Sequence, residues 1–138
     1  MIYLLDANVF MNLANRAEGY QSIRDKLKAL RKPQFAISAI TASELWKKTL
    51  NNKVSRRARD ELAAMFNSVR VLPFGGEAAK YGGLMLIENP QVGKTVDWPD
   101  VMLAAHALAL GATVVTDNTK HFKGVGCRHE NWRRPDAK

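Results

Sequence analysis

The strongest constraint on this chain lies in its last third. Residues Pro99 to Leu110 are apolar almost all round, and Gly111, a residue suited to the left-handed position that ends a helix, follows them. Ala112-Thr113-Val114-Val115 comes directly after, short and rich in β-branched residues. A helix apolar on every side must be buried on every side. A strand apolar on both faces belongs inside a sheet covered on both faces, which is the condition of parallel sheets. This unit alone predicts an α/β sandwich.

The rest of the chain extends the pattern. Ile2 to Leu5, Phe35 to Ser38 and Val69 to Leu72 read as further short strands, and Gly124 to Cys127 as a fifth. Helical spacing is expected over Val9–Leu13, Tyr20–Leu30, Thr41 to about Asn51, about Ser55 to Phe66, and Glu77–Ile87, with residues 91–96 as a loop. Strands alternating with helices imply a mostly parallel sheet of about four to five strands in a three-layer sandwich. With 138 residues and no linker-like stretch, one domain over residues 1–138 is expected, with a flexible tail from about residue 128. The longest apolar run, Val101 to Leu110, is interrupted by His106 and falls short of the ~20 residues a membrane span needs. The N-terminus lacks the basic region of a secretory signal, and one cysteine, Cys127, permits no internal disulfide. A reducing cytoplasm is the expected setting, with no membrane partner.

Charge points to the partner. Lys and Arg number 21 against 13 Asp and Glu, a net +8. Lys47, Lys48, Lys53, Arg56, Arg57 and Arg59 fall in one stretch without an acid, and Lys120, Lys123, Arg128, Arg133 and Arg134 face only Glu130. Such a surface favours a polyanion, although a solvated helix face would read the same way.

The acids stand at chosen places. In open α/β sheets, ligands bind beyond the carboxyl ends of the strands. Asp6 ends the first strand, Glu44 lies early in the helix after the second, Asp117 ends the fourth, and Asp100 opens the apolar helix. Each has an innocent reading. Asp6 could cap a helix, and Thr41-Ala42-Ser43-Glu44 matches a capping box. Asp97 could cap the helix in which Asp100 favours the dipole, and Asp117-Asn118 fits an Asx-turn. Together, however, carboxylates on one edge repel one another unless a cation or shared protons hold them. Their oxygens suit Mg²⁺ or Mn²⁺, and Asn8 could add a carbonyl. Without these four, nine acids remain against 21 basic residues, so the rest of the molecule carries +12. An acidic pocket in a basic surface suits metal-assisted chemistry on a phosphodiester.

At these residues the chain resembles the PIN-domain ribonucleases, specifically VapC-type toxins of toxin–antitoxin pairs. Four blocks carry the likeness in order: Ile2–Phe10 with its Asp-x-Asn, Ile37–Leu45, Asp100–Ala107, and Gly111–Asn118. The resemblance implies a PIN-like sandwich and a Mg²⁺- or Mn²⁺-dependent endoribonuclease. It implies as partners an RNA substrate, a cognate antitoxin and a second copy of the chain. By motif match, Asp6, Glu44, Asp100 and Asp117 are the catalytic acids. Asp6, Asp100 and Asp117 would be metal ligands and Glu44 a further candidate, with Asn8, Thr116 and Asn118 in support. Lys47, Lys48, Lys53, Arg56, Arg57 and Trp98 are the candidate RNA contacts. The chain departs from the pattern at His121, where relatives vary between an acid there and an acid in the turn, and at Val96-Asp97-Trp98-Pro99. There Asp97 reads as a helix cap rather than a ligand. His106, inside the apolar helix, reads as structural, and Cys127 as a small buried side chain. Trp132 reads as packing. Two other classes compete: a phosphohydrolase with Asp6 as nucleophile, and a non-catalytic binding module whose acids only cap helices.

Overall fold

The computed structural model describes residues 2–90 and 92–134. Five parallel strands form one sheet in the order β3-β2-β1-β4-β5. They are β1 (Tyr3–Leu5), β2 (Phe35–Ser38), β3 (Val71–Leu72), β4 (Thr113–Val115) and β5 (His129–Glu130). Seven helices accompany them: α1 (Ala7–Ala14), α2 (Tyr20–Ala29), α3 (Ala39–Thr49), α4 (Arg56–Asn67), α5 (Gly76–Glu88), α6 (Val92–Thr95) and α7 (Trp98–Leu110). The expected α/β sandwich is therefore present, with two local differences. The fifth strand is His129–Glu130 rather than 124–127, and the stretch expected as a loop contains the single turn α6. Gly124 to Cys127 is too rich in glycine to hold a ladder, and Gly126 takes a left-handed φ of 74°.

The period of two along each strand builds two cores. Leu4, Ala36 and Val114 point to one face and pack with Val101, Leu103 and Phe122. Leu5, Ile37 and Val115 point to the other and pack with Val9, Phe10, Leu45 and Leu62. The uniform hydrophobicity of α7 is explained by its burial, since Val101 to Ala107 are all buried. Gly111 closes this helix at φ 65°, as its type predicts. In α5, Gly82 permits the close approach of α7, because a Cβ there would lie 3.1 Å from the Met102 Cε.

His106 is buried within α7, its Nδ1 2.8 Å from the Ser38 hydroxyl and its ring edge-on to Phe74. Burial holds its pKa below the usual imidazole value. The neutral ring ties α7 to the end of β2 and is walled off from solvent. His106→Ala is expected to lower stability to urea by about 2 kcal/mol, through a cavity and a lost hydrogen bond. RNA cleavage per folded molecule should survive; selective loss of cleavage at unchanged stability would make His106 a chemical participant instead.

The segment expected as a flexible tail is docked as far as Arg134. β5 pairs with β4, and Trp132 is buried with its ring 5.1 Å from that of Tyr3. Among the described residues no helix is long and apolar enough to cross a membrane.

Candidate active site

Parallel strands bring their carboxyl ends to one edge, and the acids follow. Asp6 leaves β1 as the N-cap of α1, its Oδ1 accepting from the Ala7 amide at 2.7 Å. Its Oδ2 accepts from the Thr116 hydroxyl at 2.8 Å and from Asn8 Nδ2 at 3.0 Å. Asn8 Nδ2 also reaches Thr116 Oγ1 at 3.1 Å, and the Asn8 Oδ1 accepts from the Asp117 amide at 3.3 Å. The Asn118 amide donates to Thr116 Oγ1 at 3.0 Å. Asn8, Thr116 and Asn118 thus lock the end of β1 to the end of β4.

The capping explanation holds for Asp6 alone. α3 starts two residues earlier than expected, because the Ser38 hydroxyl caps it by accepting from the Ile40 amide at 3.1 Å. Thr41 is then inside the helix and Glu44 in its second turn, so the capping box expected at Thr41–Glu44 is absent. Thr41 Oγ1 is buried without a hydrogen-bond partner among the described residues. The sequence signal misled because two hydroxyl residues stand close to the helix start, and Ser38, the last residue of β2, wins over Thr41. Asp97 occupies the N-cap of α7 but makes no side-chain cap bond. Asp100 lies in the first turn of α7, and His121 Nδ1 stands 2.6 Å from its Oδ2. Asp117 forms no Asx-turn bond; its Oδ2 accepts from Asn12 Nδ2 at 2.8 Å and lies 3.4 Å from Arg133 Nη1.

Electrostatics shows that these carboxylates share one space. The Asp6 carboxyl is pushed up from 3.8 to about 6, chiefly by burial, then by the charge of Asp100 and, more weakly, of Asp117. Hydrogen bonds from Thr116 and Ala7 pull the other way without cancelling it. The Glu44 carboxyl is pushed up from 4.5 to about 7, by burial and then by Asp6, Asp100 and Asp97, against a weaker pull from Lys47. Four acids far apart in sequence thus gather at one sheet edge at an electrostatic cost, a pattern that marks functional sites.

The donor set fits a hard divalent cation: carboxylates, an amide and a hydroxyl, with no thiol. Among the described residues no three His, Cys, Asp or Glu side chains already stand close enough to chelate an ion together. Mg²⁺ asks for less, since it keeps several waters and takes one or two carboxylates directly. A phosphohydrolase with Asp6 as nucleophile would use an acid two residues on, and that position holds Asn8, whose Nδ2 donates to Asp6 Oδ2.

The candidate RNA contacts divide. Lys47 and Lys48 are exposed on the last turn of α3, Lys53 follows it, and Trp98 is 61% exposed at the start of α7. Arg56 and Arg57 are also exposed, but α4 brings Asp60 and Glu61 back beneath them, at 3.9 and 2.8 Å. The acid-free stretch in the sequence is therefore not acid-free on the helix surface. Two further residues stand at the site: His121, the departure from the family pattern, against Asp100, and Arg133, weighed only within the basic C-terminal stretch, against Asp117. His121 adjoins the Asp117 block in sequence. Arg133 carries no local signal, since β5 has to place it.

Comparisons with known proteins bear on the family and the fold. The model of the PIN domain family matches residues 3–126. Ribonuclease VapC2 of Rickettsia felis is 31% identical over 134 residues, spanning 96% of this chain and 98% of its own. A tRNA(fMet)-specific endonuclease VapC of Shigella flexneri is 28% identical, over 94% of this chain and 97% of its own. Among solved structures, VapBC2 of Rickettsia felis bound to a promoter DNA fragment superposes with a TM-score of 0.83 at 30% identity, covering 96% of this chain and 99% of that one. DNA-bound VapBC of Salmonella typhimurium gives 0.81 at 28% identity, covering 96% and 98%. With its parallel sheet, its acidic edge and a family model spanning most of its length, the chain belongs to the PIN domain family.

Proposed function

We propose that this protein is a divalent-metal-dependent endoribonuclease, the toxin of a toxin–antitoxin pair acting in the cytoplasm. The observation that carries the reading is the convergence of Asp6, Glu44, Asp100 and Asp117, with Asp6 and Glu44 held well above ordinary carboxylate values by burial and mutual repulsion. Asp6, Asp100 and Asp117, with Glu44, would hold Mg²⁺ or Mn²⁺. When bound, such an ion supplies charge against the developing negative phosphate oxygens and acidifies water.

The chain's own residues do the rest. Asn8 and Thr116 hold the Asp6 carboxyl through Oδ2 and the Ala7 amide holds it through Oδ1, which fixes its orientation. Glu44, half-buried and raised to about 7 in the metal-free site, gives up its proton when an ion binds. The charge of Lys47 reaches Glu44, and with the exposed Lys48 and Lys53 it can hold the RNA backbone. Exposed Trp46 on α3, Leu50 at its C-cap and Ile87 on α5 offer apolar surface for an antitoxin or a second copy of the chain.

The test uses purified, antitoxin-free protein on total cellular RNA and on initiator tRNA, the latter because relatives are named for it. Discrete fragments with 5′-phosphate and 3′-hydroxyl ends are expected with Mg²⁺ or Mn²⁺ and none with EDTA. Ends carrying 2′,3′-cyclic phosphate, or cleavage that ignores EDTA, would overturn the mechanism. Folded, metal-supplied protein that cuts no RNA would return the acids to a structural role.

A further inference from the structure

The C-terminal segment is built to deliver one guanidinium to the acidic edge. Trp132 anchors it in the core, the Ser22 hydroxyl donates to the Trp132 carbonyl at 2.7 Å, and the Arg134 amide donates to Ser22 Oγ at 2.8 Å. Between these fixed points the Arg133 side chain turns toward the site. Its Nε donates to the Glu18 carbonyl at 2.6 Å, which sets the guanidinium plane. Its Nη1 lies 3.4 Å from Asp117 Oδ2.

That last contact is too long and too sparse for a clamp. An arginine serving only to neutralise Asp117 would be expected at ~2.7–2.9 Å with both nitrogens engaged. Asp117 Oδ2 already accepts a shorter bond from Asn12. Nη2 makes no hydrogen bond among the described residues, and the side chain is 29% exposed. A partly exposed, preset fork beside repelling carboxylates is the arrangement that receives a phosphate. The residues on either side of Arg133 in sequence, Trp132 and Arg134, line a cleft of about 270 Å³ together with Ser22, Lys26, Glu130 and Asn131. Its one acid, Glu130, is occupied as the acceptor of the Trp132 indole N–H at 2.9 Å. On α4, by contrast, Arg56 and Arg57 are shared with acids of their own helix.

We propose that Arg133 is a substrate-binding residue that holds an RNA phosphate beside the acidic site, and that Lys26 and Arg134 hold the next stretch of backbone. This rests on the nuclease reading and names the path by which RNA leaves the site.

The experiment measures binding of a labelled single-stranded RNA oligonucleotide of mixed sequence across a salt series. The full chain carries Asp6→Asn so that no cleavage intervenes. Arg133→Gln should weaken binding about fivefold at ~0.1 M salt and lower the slope of log K against log salt by about 0.7, the signature of one lost phosphate contact on a single strand. Arg133→Lys should restore the slope. The double variant Lys26→Gln with Arg134→Gln should lower it by about twice as much. An unchanged slope in Arg133→Gln with an unchanged melting temperature overturns the inference, and so does equal loss in Arg133→Lys, which would mark a structural clamp. The parent protein with Asp6 intact is assayed for cleavage in parallel. If it cleaves while the slopes stay constant, only this inference falls; if it neither cleaves nor binds RNA, the nuclease reading falls with it.

Discussion

Asp6→Asn is expected to reduce RNA cleavage by about a thousandfold while making the metal-free protein slightly more stable at pH 7.5. The loss follows from replacing a charged oxygen by an amide at the centre of the acidic edge, where removal of one electrostatic group costs up to ~10³ in rate. The gain follows from the same repulsion. Asp6 is buried, and its carboxyl is raised from 3.8 to about 6, so ionisation at neutral pH opposes folding. The substitution preserves the helix cap, since an asparagine Oδ1 can accept from the Ala7 amide as the carboxylate does. It disturbs the other side, because Asn8 Nδ2 loses an acceptor and the Thr116 hydroxyl must turn to receive an N–H. Subtracting that hydrogen-bond cost leaves a net gain of about 1 kcal/mol, or about 3 °C in melting temperature. Scanning fluorimetry in EDTA and a cleavage assay with Mn²⁺ read the two halves separately. Retained metal-dependent cleavage would remove Asp6 from the site. Lost cleavage with a large drop in melting temperature would say only that the variant is misfolded.

This opposition between stability and site is also what made the chain readable. The sandwich was legible because α7 and β4 are too apolar to lie anywhere but against a covered parallel sheet, and the two-residue period of Leu4-Leu5, Ala36-Ile37 and Val114-Val115 divides cleanly between two cores. Asp6, Asp100 and Asp117 were legible because they stand directly at strand or helix ends, where topology decides position. For Glu44 the helix start removes the competing capping reading rather than the candidate. Its block matched the family motif, but the local capping pattern placed it one turn too early, because Ser38 outcompetes Thr41 as the cap. β5 was misplaced because a two-residue edge strand of His129 and Glu130 has no hydrophobic period to read. Arg133 was invisible as a site residue for the same reason: its position depends on that strand and on Trp132 burying against Tyr3, contacts that span most of the chain.

Metal affinity should depend steeply on pH, and in the opposite sense to metal-free stability. In the unfolded chain Asp6 and Glu44 titrate near 3.8 and 4.5, and in the folded protein near 6 and 7. The folded state therefore binds more protons between about pH 4 and 7. The contribution of these two groups to metal-free stability is most favourable at the acid end of that window and declines as pH rises through 6 and 7. A divalent ion needs both carboxylates ionised, so its binding releases the protons they hold. Affinity for Mn²⁺ should fall about tenfold per pH unit between 7 and 6, where Glu44 takes up its proton, and approach a hundredfold per unit below 6, where Asp6 follows. In melts, Mn²⁺ should then raise the transition clearly at pH 7.5 and hardly at pH 5. Glu44→Gln should flatten the upper part of the dependence and leave the lower part, since only the Asp6 proton remains. Isothermal titration in buffers of differing ionisation enthalpy counts the protons directly. A pH-independent affinity, or one that Glu44→Gln leaves unaltered, would mean that the ion sits away from Glu44. The raised pKa would then belong to a carboxylate that handles protons at the site's edge without touching the metal.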